Sequence, residues 1–168
     1  MKSNRPIAAF LSILALDGFA SIAIAQTNEV PRDFVLFAQY NAGYSPWKSW
    51  QLTVSGDGQV LQEAYAFRGS NPVRETNYFH LAKEDLKQLA ARLDNESFES
   101  LAEHYSPKDK ITDNPTLIVR SVMLGKSNEV SVYAPDHLKD KAEVRRFLRV
   151  WNEVLRKVPS PNSDQKPE

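Results

Sequence analysis

Trp50-Gln51-Leu52-Thr53-Val54-Ser55-Gly56-Asp57-Gly58-Gln59-Val60 is the stretch that decides the fold. Apolar Trp50, Leu52 and Val54 alternate with polar Gln51, Thr53 and Ser55, the period of a strand buried on one side only. Gly56-Asp57-Gly58 follows, with residues that tolerate positive φ, so a tight hairpin is predicted there, returning through Gln59 to Phe67. Upstream, Phe34 to Tyr40 is apolar and aromatic and reads as a strand, followed by a loop over Asn41 to Pro46. Downstream, Gly69 to Pro72 breaks the return strand and Glu75 to Leu81 alternates again as a further strand.

The period then changes. Leu86, Leu89, Ala90 and Leu93 fall on one helical face, with Glu84 and Asp85 in the first turn, where carboxylates favour the helix dipole. Phe98, Leu101, Ala102 and Tyr105 repeat that spacing and predict a short second helix. Ser106 to Pro115 reads as a loop, Thr116 to Leu124 as a strand, Gly125 to Asn128 as a turn and Glu129 to Tyr133 as a strand. Val144, Phe147, Leu148, Trp151, Val154, Leu155 and Val158 form the apolar stripe of a long C-terminal helix, stopped by Pro159 and Pro161. The expected architecture is α+β: an antiparallel sheet of about four to six strands with helices packed on one face.

Residues 1–25 read as a signal peptide. Lys2 and Arg5 precede an apolar run from Ile7 to Ala25, which ends in the small-x-small pattern Ala23-Ile24-Ala25. Asp17 argues against a membrane anchor, since a carboxylate near mid-bilayer costs roughly 2.5–3.5 kcal/mol on insertion scales. A buried N-terminal helix is the other reading of this run. The expected plan is a signal peptide over 1–25, a linker over 26–32, one α+β domain over 33–158 and a disordered tail over 159–168. The protein would then be exported, periplasmic or secreted, with no membrane span after cleavage.

The order of strand, Gly-Asp-Gly turn, strand and helix continues with Ser97-Phe98-Glu99-Ser100-Leu101, Tyr105 and Thr112-Asp113-Asn114-Pro115-Thr116. A hairpin and the long helix then close the chain. This pattern resembles a family of small exported bacterial domains known only as domains of unknown function, over Trp47 to Val158. The resemblance implies the α+β fold and export. It supplies no reaction, ligand or catalytic residue. Some relatives carry a Cys pair before the first strand, whereas this chain has no Cys at all.

Composition narrows the chemistry. Without Cys there is no disulfide, thiolate metal site or cysteine nucleophile. The 21 basic residues balance 21 acidic ones, so the broad positive field of a nucleic-acid binder is missing. His80, His104 and His137 are far apart in sequence and form no local metal-ligand motif, so no metal or other cofactor is expected. Asp109, Asp113 and Asn114 lack the spacing of a calcium loop and read as turn formers. Gly56-Asp57-Gly58 precedes a strand rather than a helix and is no phosphate loop. Arg145, Arg149 and Arg156 line one side of the C-terminal helix, interspersed with Glu143 and Glu153, and read as a solvated face.

Aromatic residues point to binding. Tyr40, Tyr44, Trp47 and Trp50 cluster around a loop containing Gly43 and Pro46. Trp50 and Tyr40 are also core candidates, which leaves Tyr44 and Trp47 as the candidate contact residues for a partner protein or glycan. The expected function is a non-enzymatic binding module of the cell envelope, holding an envelope protein or a glycan. The alternative is a hydrolase-like enzyme whose site is assembled from distant residues, with His80 or His104 beside a carboxylate.

Overall fold

The computed structural model describes residues 29–43, 49–68, 71–109 and 111–161. The expected signal peptide, the Tyr44 and Trp47 positions and the chain from 162 onward lie outside the described residues. Seven strands form one sheet: β1 (Val35–Asn41), β2 (Ser49–Ser55), β3 (Gln59–Arg68), β4 (Asn71–His80), β5 (His104–Tyr105), β6 (Thr116–Met123) and β7 (Lys126–Tyr133). Their order is β4-β3-β2-β1-β6-β7-β5. Two helices complete the fold, α1 (Lys83–Asn95) and α2 (Ala142–Lys157).

The first four strands are a meander built from tight turns. Gly58 closes the β2–β3 turn at φ +90, and an added Cβ there would stand 2.8 Å from the Leu81 carbonyl oxygen. Asp57 braces the same turn by accepting from the Ser55 hydroxyl at 2.5 Å and from the Gln59 backbone N–H at 3.1 Å. These bonds, the Ser55 hydroxyl first, hold the Asp57 carboxyl below its ordinary range. β1 then pairs on its far side with β6, across the whole helical segment. Asp33, just before β1, accepts from the backbone N–H groups of Leu124 and Gly125 at 3.0 and 2.6 Å. It thereby caps the β6–β7 turn.

Strand alternation builds the core. Leu36, Ala38, Trp50, Leu52, Val54, Val60, Ala64, Leu117, Val119, Val130 and Val132 are buried on one sheet face. They form a single cluster with Leu86, Leu89 and Leu93 of α1 and Val144, Phe147, Val150, Trp151 and Val154 of α2. Trp151 stacks on Trp50 with ring centroids 5.4 Å apart, and Tyr40 also stacks on Trp50 at 6.1 Å. Buried Gln62, among these apolar neighbours, donates to the Pro159 carbonyl at 2.8 Å. A buried amide needs such a partner.

Three expectations need correction. The sheet has seven strands, not four to six, because β5 adds a two-residue strand parallel to β7. The predicted second helix is a 3-10 turn at Phe98–Ser100 followed by β5. Ser97 enters that turn at φ 45, and the Ser131 N–H donates to the Glu103 carbonyl at 2.8 Å, drawing the chain out alongside β7. Phe98 is buried from the 3-10 turn and Leu101 from the extended chain that follows it, rather than from one α-helical face. Lastly, the β6–β7 turn is at Leu124-Gly125, ahead of the expected position, with both residues at positive φ.

Candidate functional site

The face of the sheet turned away from the core is the candidate site. Register places its residues in rows across the strands. One row reads Thr76, Glu63, Gln51, Gln39, Ile118 and Ser131 from β4 to β7. A neighbouring row holds Arg74, Tyr65 and Ser49, and on the other side lie Tyr78, Leu61, Thr53, Phe37, Arg120 and Glu129. Among the described residues this face adds nothing to the core cluster. Its side chains are half-buried or exposed, with Tyr65 at 41% and Tyr78 at 79%.

Glu63 is the exception, buried at the centre of the face. Its carboxylate accepts from Gln51 Nε2 at 2.7 Å and is ion-paired with Arg74. Gln39 Nε2 donates to Asn41 Oδ1 at 2.8 Å. The Arg120 guanidinium lies 5.2 Å over the Phe37 ring and 3.9 Å from Glu129. Among the described residues, the carboxylates and guanidinium groups of the face form two opposite pairs, Glu63 with Arg74 and Glu129 with Arg120, whose charges offset one another. Planar amides and hydroxyls, each able to donate and accept, are set between exposed tyrosines.

The sequence-level candidates fall elsewhere. Tyr44 and Trp47 belong to the segment joining β1 to β2 and lie outside the described residues. His80 ends β4 and His104 starts β5, at opposite edges of the sheet. Six strand spacings separate those edges, about 29 Å along the sheet. His80 packs on the turn at Gly58 and helps to lower the Asp57 pKa, while Asp57 is committed to the turn. His137 sits in a further 3-10 turn, Pro135–Leu138. Among the described residues no three His, Asp or Glu side chains converge as a metal site. Asp113 adopts φ 64, and the Asn114 side chain donates back to Thr112 O at 2.8 Å, as turn formers do. Among the described residues, too, no helix is long and apolar enough to cross a membrane.

The arginine face of α2 is not simply solvated. Arg149 donates two bonds of 2.7 Å to the buried Glu96 at the end of α1, and Arg92 adds a third at 3.3 Å. Arg149 first, then Arg92, hold the Glu96 carboxyl below its ordinary range against the opposing effect of burial. Arg156 binds the buried Glu153, and Arg146 donates to the backbone oxygens of Glu96 and Ser97. Lys157 binds Asp85 and Gln88 at the other end of α1, both at 2.6 Å. Arg146, Arg149 and Lys157 thus tie α2 to α1 and its C-terminal end, while the Arg156 bond stays within α2. A cleft of about 90 Å³ between the α1 end and the β6–β7 hairpin has room for a few waters only.

The residues of the open face carry no motif. The signal available for them was the alternation itself, which marks Gln51, Thr53 and Ser55 as facing away from Trp50, Leu52 and Val54.

Comparison with known families places the chain. It belongs to the family described as a domain of unknown function (DUF6438), whose model matches residues 46–150, more than half of the chain. The match takes in β2 to β7 and stops inside α2, while β1, at the middle of the sheet, precedes it. No curated protein matches the sequence.

Proposed function

We propose that this protein is a non-enzymatic binding module, exported to the cell envelope, and that the open sheet face holds a neutral glycan. The observation that carries the reading is the row Thr76, Glu63, Gln51 and Gln39 flanked by Tyr65 and Tyr78. A sugar ring presents adjacent hydroxyls at its edge and C–H groups on its face. Amide and hydroxyl groups pair with the first, with the buried Glu63 holding Gln51 in place, and tyrosine rings cover the second while keeping a polar tip. The paired charges disfavour a polyanion or polycation, which needs a surface of one sign. Among the described residues, the buried side chains of both helices cluster with the opposite sheet face, which supports an open face here. Tyr44 and Trp47 remain proposed contact residues on the strength of the sequence. The charged amino-terminal flank and apolar run of residues 1–25 support export.

The test is a panel of neutral and charged oligosaccharides, followed by Gln51→Ala and Tyr65→Ala. The expected result is selective binding of a neutral glycan, lost about tenfold or more in each variant with the far-UV circular dichroism unchanged. Preference for charged glycans, or binding that survives both substitutions, would overturn the reading.

A further inference from the structure

The two edges of the sheet differ sharply. β5 closes one edge with only two residues, a common protection against unwanted pairing. β4 forms the other with ten residues, and its register with β3 runs unbroken from Gln59↔His80 to Arg68↔Asn71, without a bulge. Among the described residues nothing pairs with its outer side. The charges that might guard it are engaged: Arg74 with Glu63, and Glu75 as well.

The direction of its backbone groups follows from one hydrogen bond. Leu81 N–H donates to Gly58 O at 2.9 Å. Hydrogen-bonded and non-hydrogen-bonded pairs alternate along an antiparallel ladder. Phe79, Asn77, Glu75 and Val73 therefore bond to β3, and His80, Tyr78, Thr76, Arg74 and Pro72 turn their backbone groups outward. Pro72 fits this pattern, because the N–H it lacks would point away from the sheet.

We infer that a second copy of this chain pairs with the β4 edge, antiparallel and centred on Thr76, to give a continuous sheet across a two-fold axis. Charge selects this register. Centring on Arg74 opposes two guanidinium groups, and centring on Glu75 opposes two carboxylates. Centring on Asn77 or Tyr78 shortens the overlap. Centring on Thr76 aligns 72–80 with its symmetry mate and sets Arg74 of each copy against Tyr78 of the other, a guanidinium beside an aromatic ring on both sides of the axis. It also covers Tyr78, the most exposed of the large apolar side chains noted on the surface. The inference does not rest on the glycan reading, but Thr76 and Tyr78 belong to both surfaces, so dimer and glycan would share that end of the face.

The experiment is light scattering on the full chain across the micromolar range, with Thr76→Lys as the disrupting variant and oxidation of single-cysteine variants as the register probe. The native chain has no Cys, so any disulfide reports the introduced residue. In the Thr76 register the two copies of position 76 have Cα atoms about 5.5 Å apart, within the roughly 4.4–6.8 Å of a disulfide. The two copies of position 74 are about 14 Å apart, as are those of position 78. The expected result is a dimer that Thr76→Lys converts to a folded monomer, with rapid cross-linking of Thr76→Cys and not of Tyr78→Cys. Tyr78→Ala should weaken association about tenfold. A monomeric native chain, a Thr76→Lys variant that remains a dimer, or cross-linking as fast at 78 as at 76 would overturn the inference.

Discussion

Glu96→Gln tests how the two helices are held together. The native carboxylate is 7% exposed and receives two bonds of 2.7 Å from Arg149 and one of 3.3 Å from Arg92. The amide keeps the shape and one acceptor but loses the charge and turns an N–H toward a guanidinium. Hydrogen bonds to charged groups contribute roughly 1.5–3 kcal/mol when buried. The Arg149 side chain is 50% exposed, so water screens much of this. The expected loss is about 1–2 kcal/mol, or roughly 3–8 °C in the melting midpoint for a domain of this size. The acid limb gives a second readout. The folded Glu96 carboxyl has its pKa lowered from 4.5, chiefly by the Arg149 hydrogen bond. Its contribution is therefore complete above that unfolded value and disappears as pH falls through the lower folded value. Urea unfolding from neutral pH to about pH 3 should show this loss in the native protein and a shallower limb in Glu96→Gln. A variant within about 0.5 kcal/mol of the native protein, with an unchanged acid limb, would refute the ion-pair reasoning.

Other outcomes follow from the same geometry. Trp151→Ala removes the ring stacked on Trp50 and Phe147 and should cost about 3–5 kcal/mol in denaturant unfolding; a cost under about 1.5 kcal/mol would mean the stack is not central to the core. Gly58→Ala sets a Cβ against the Leu81 carbonyl at φ +90 and should destabilise by more than about 1 kcal/mol, read by the same method. Asp33→Asn should speed amide exchange at Leu124 and Gly125, and in the native protein their protection should fall with pH through the lowered Asp33 pKa, which the Gly125 N–H sustains most strongly. Exchange at Leu124 and Gly125 that is identical in the variant would show that the cap does not hold the turn.

Local pattern made most elements legible. Alternation marked β2 and β4, the Gly-Asp-Gly turn marked the return into β3, and the 3.6-residue stripes marked α1 and α2. What escaped depended on distant partners. The spacing of Phe98, Leu101 and Tyr105 mimicked a helix because burial from an extended segment can reproduce that interval over so few residues. The β1–β6 pairing joins segments separated by β2, β3, β4, α1 and β5, and β5 is too short to have a period. Arg149 looked solvated because its partner, Glu96, lies at the end of the other helix and is buried by packing that the sequence does not spell out. At the candidate site, alternation told which side of β2 faces outward but not which residues of β3 and β4 stand beside it. Register brings Glu63 next to Gln51 and Arg74, and that register is a property of the assembled sheet.

The most direct test of the proposal that the open face binds a glycan is a two-dimensional nuclear magnetic resonance titration of the ¹⁵N-labelled chain with a neutral oligosaccharide selected from the panel. The expected shifts are confined to the open face, at Gln39, Gln51, Thr53, Glu63, Tyr65 and Arg74. Shifts centred on Arg92, Arg149 and Arg156, or no shifts with any neutral saccharide, would contradict it.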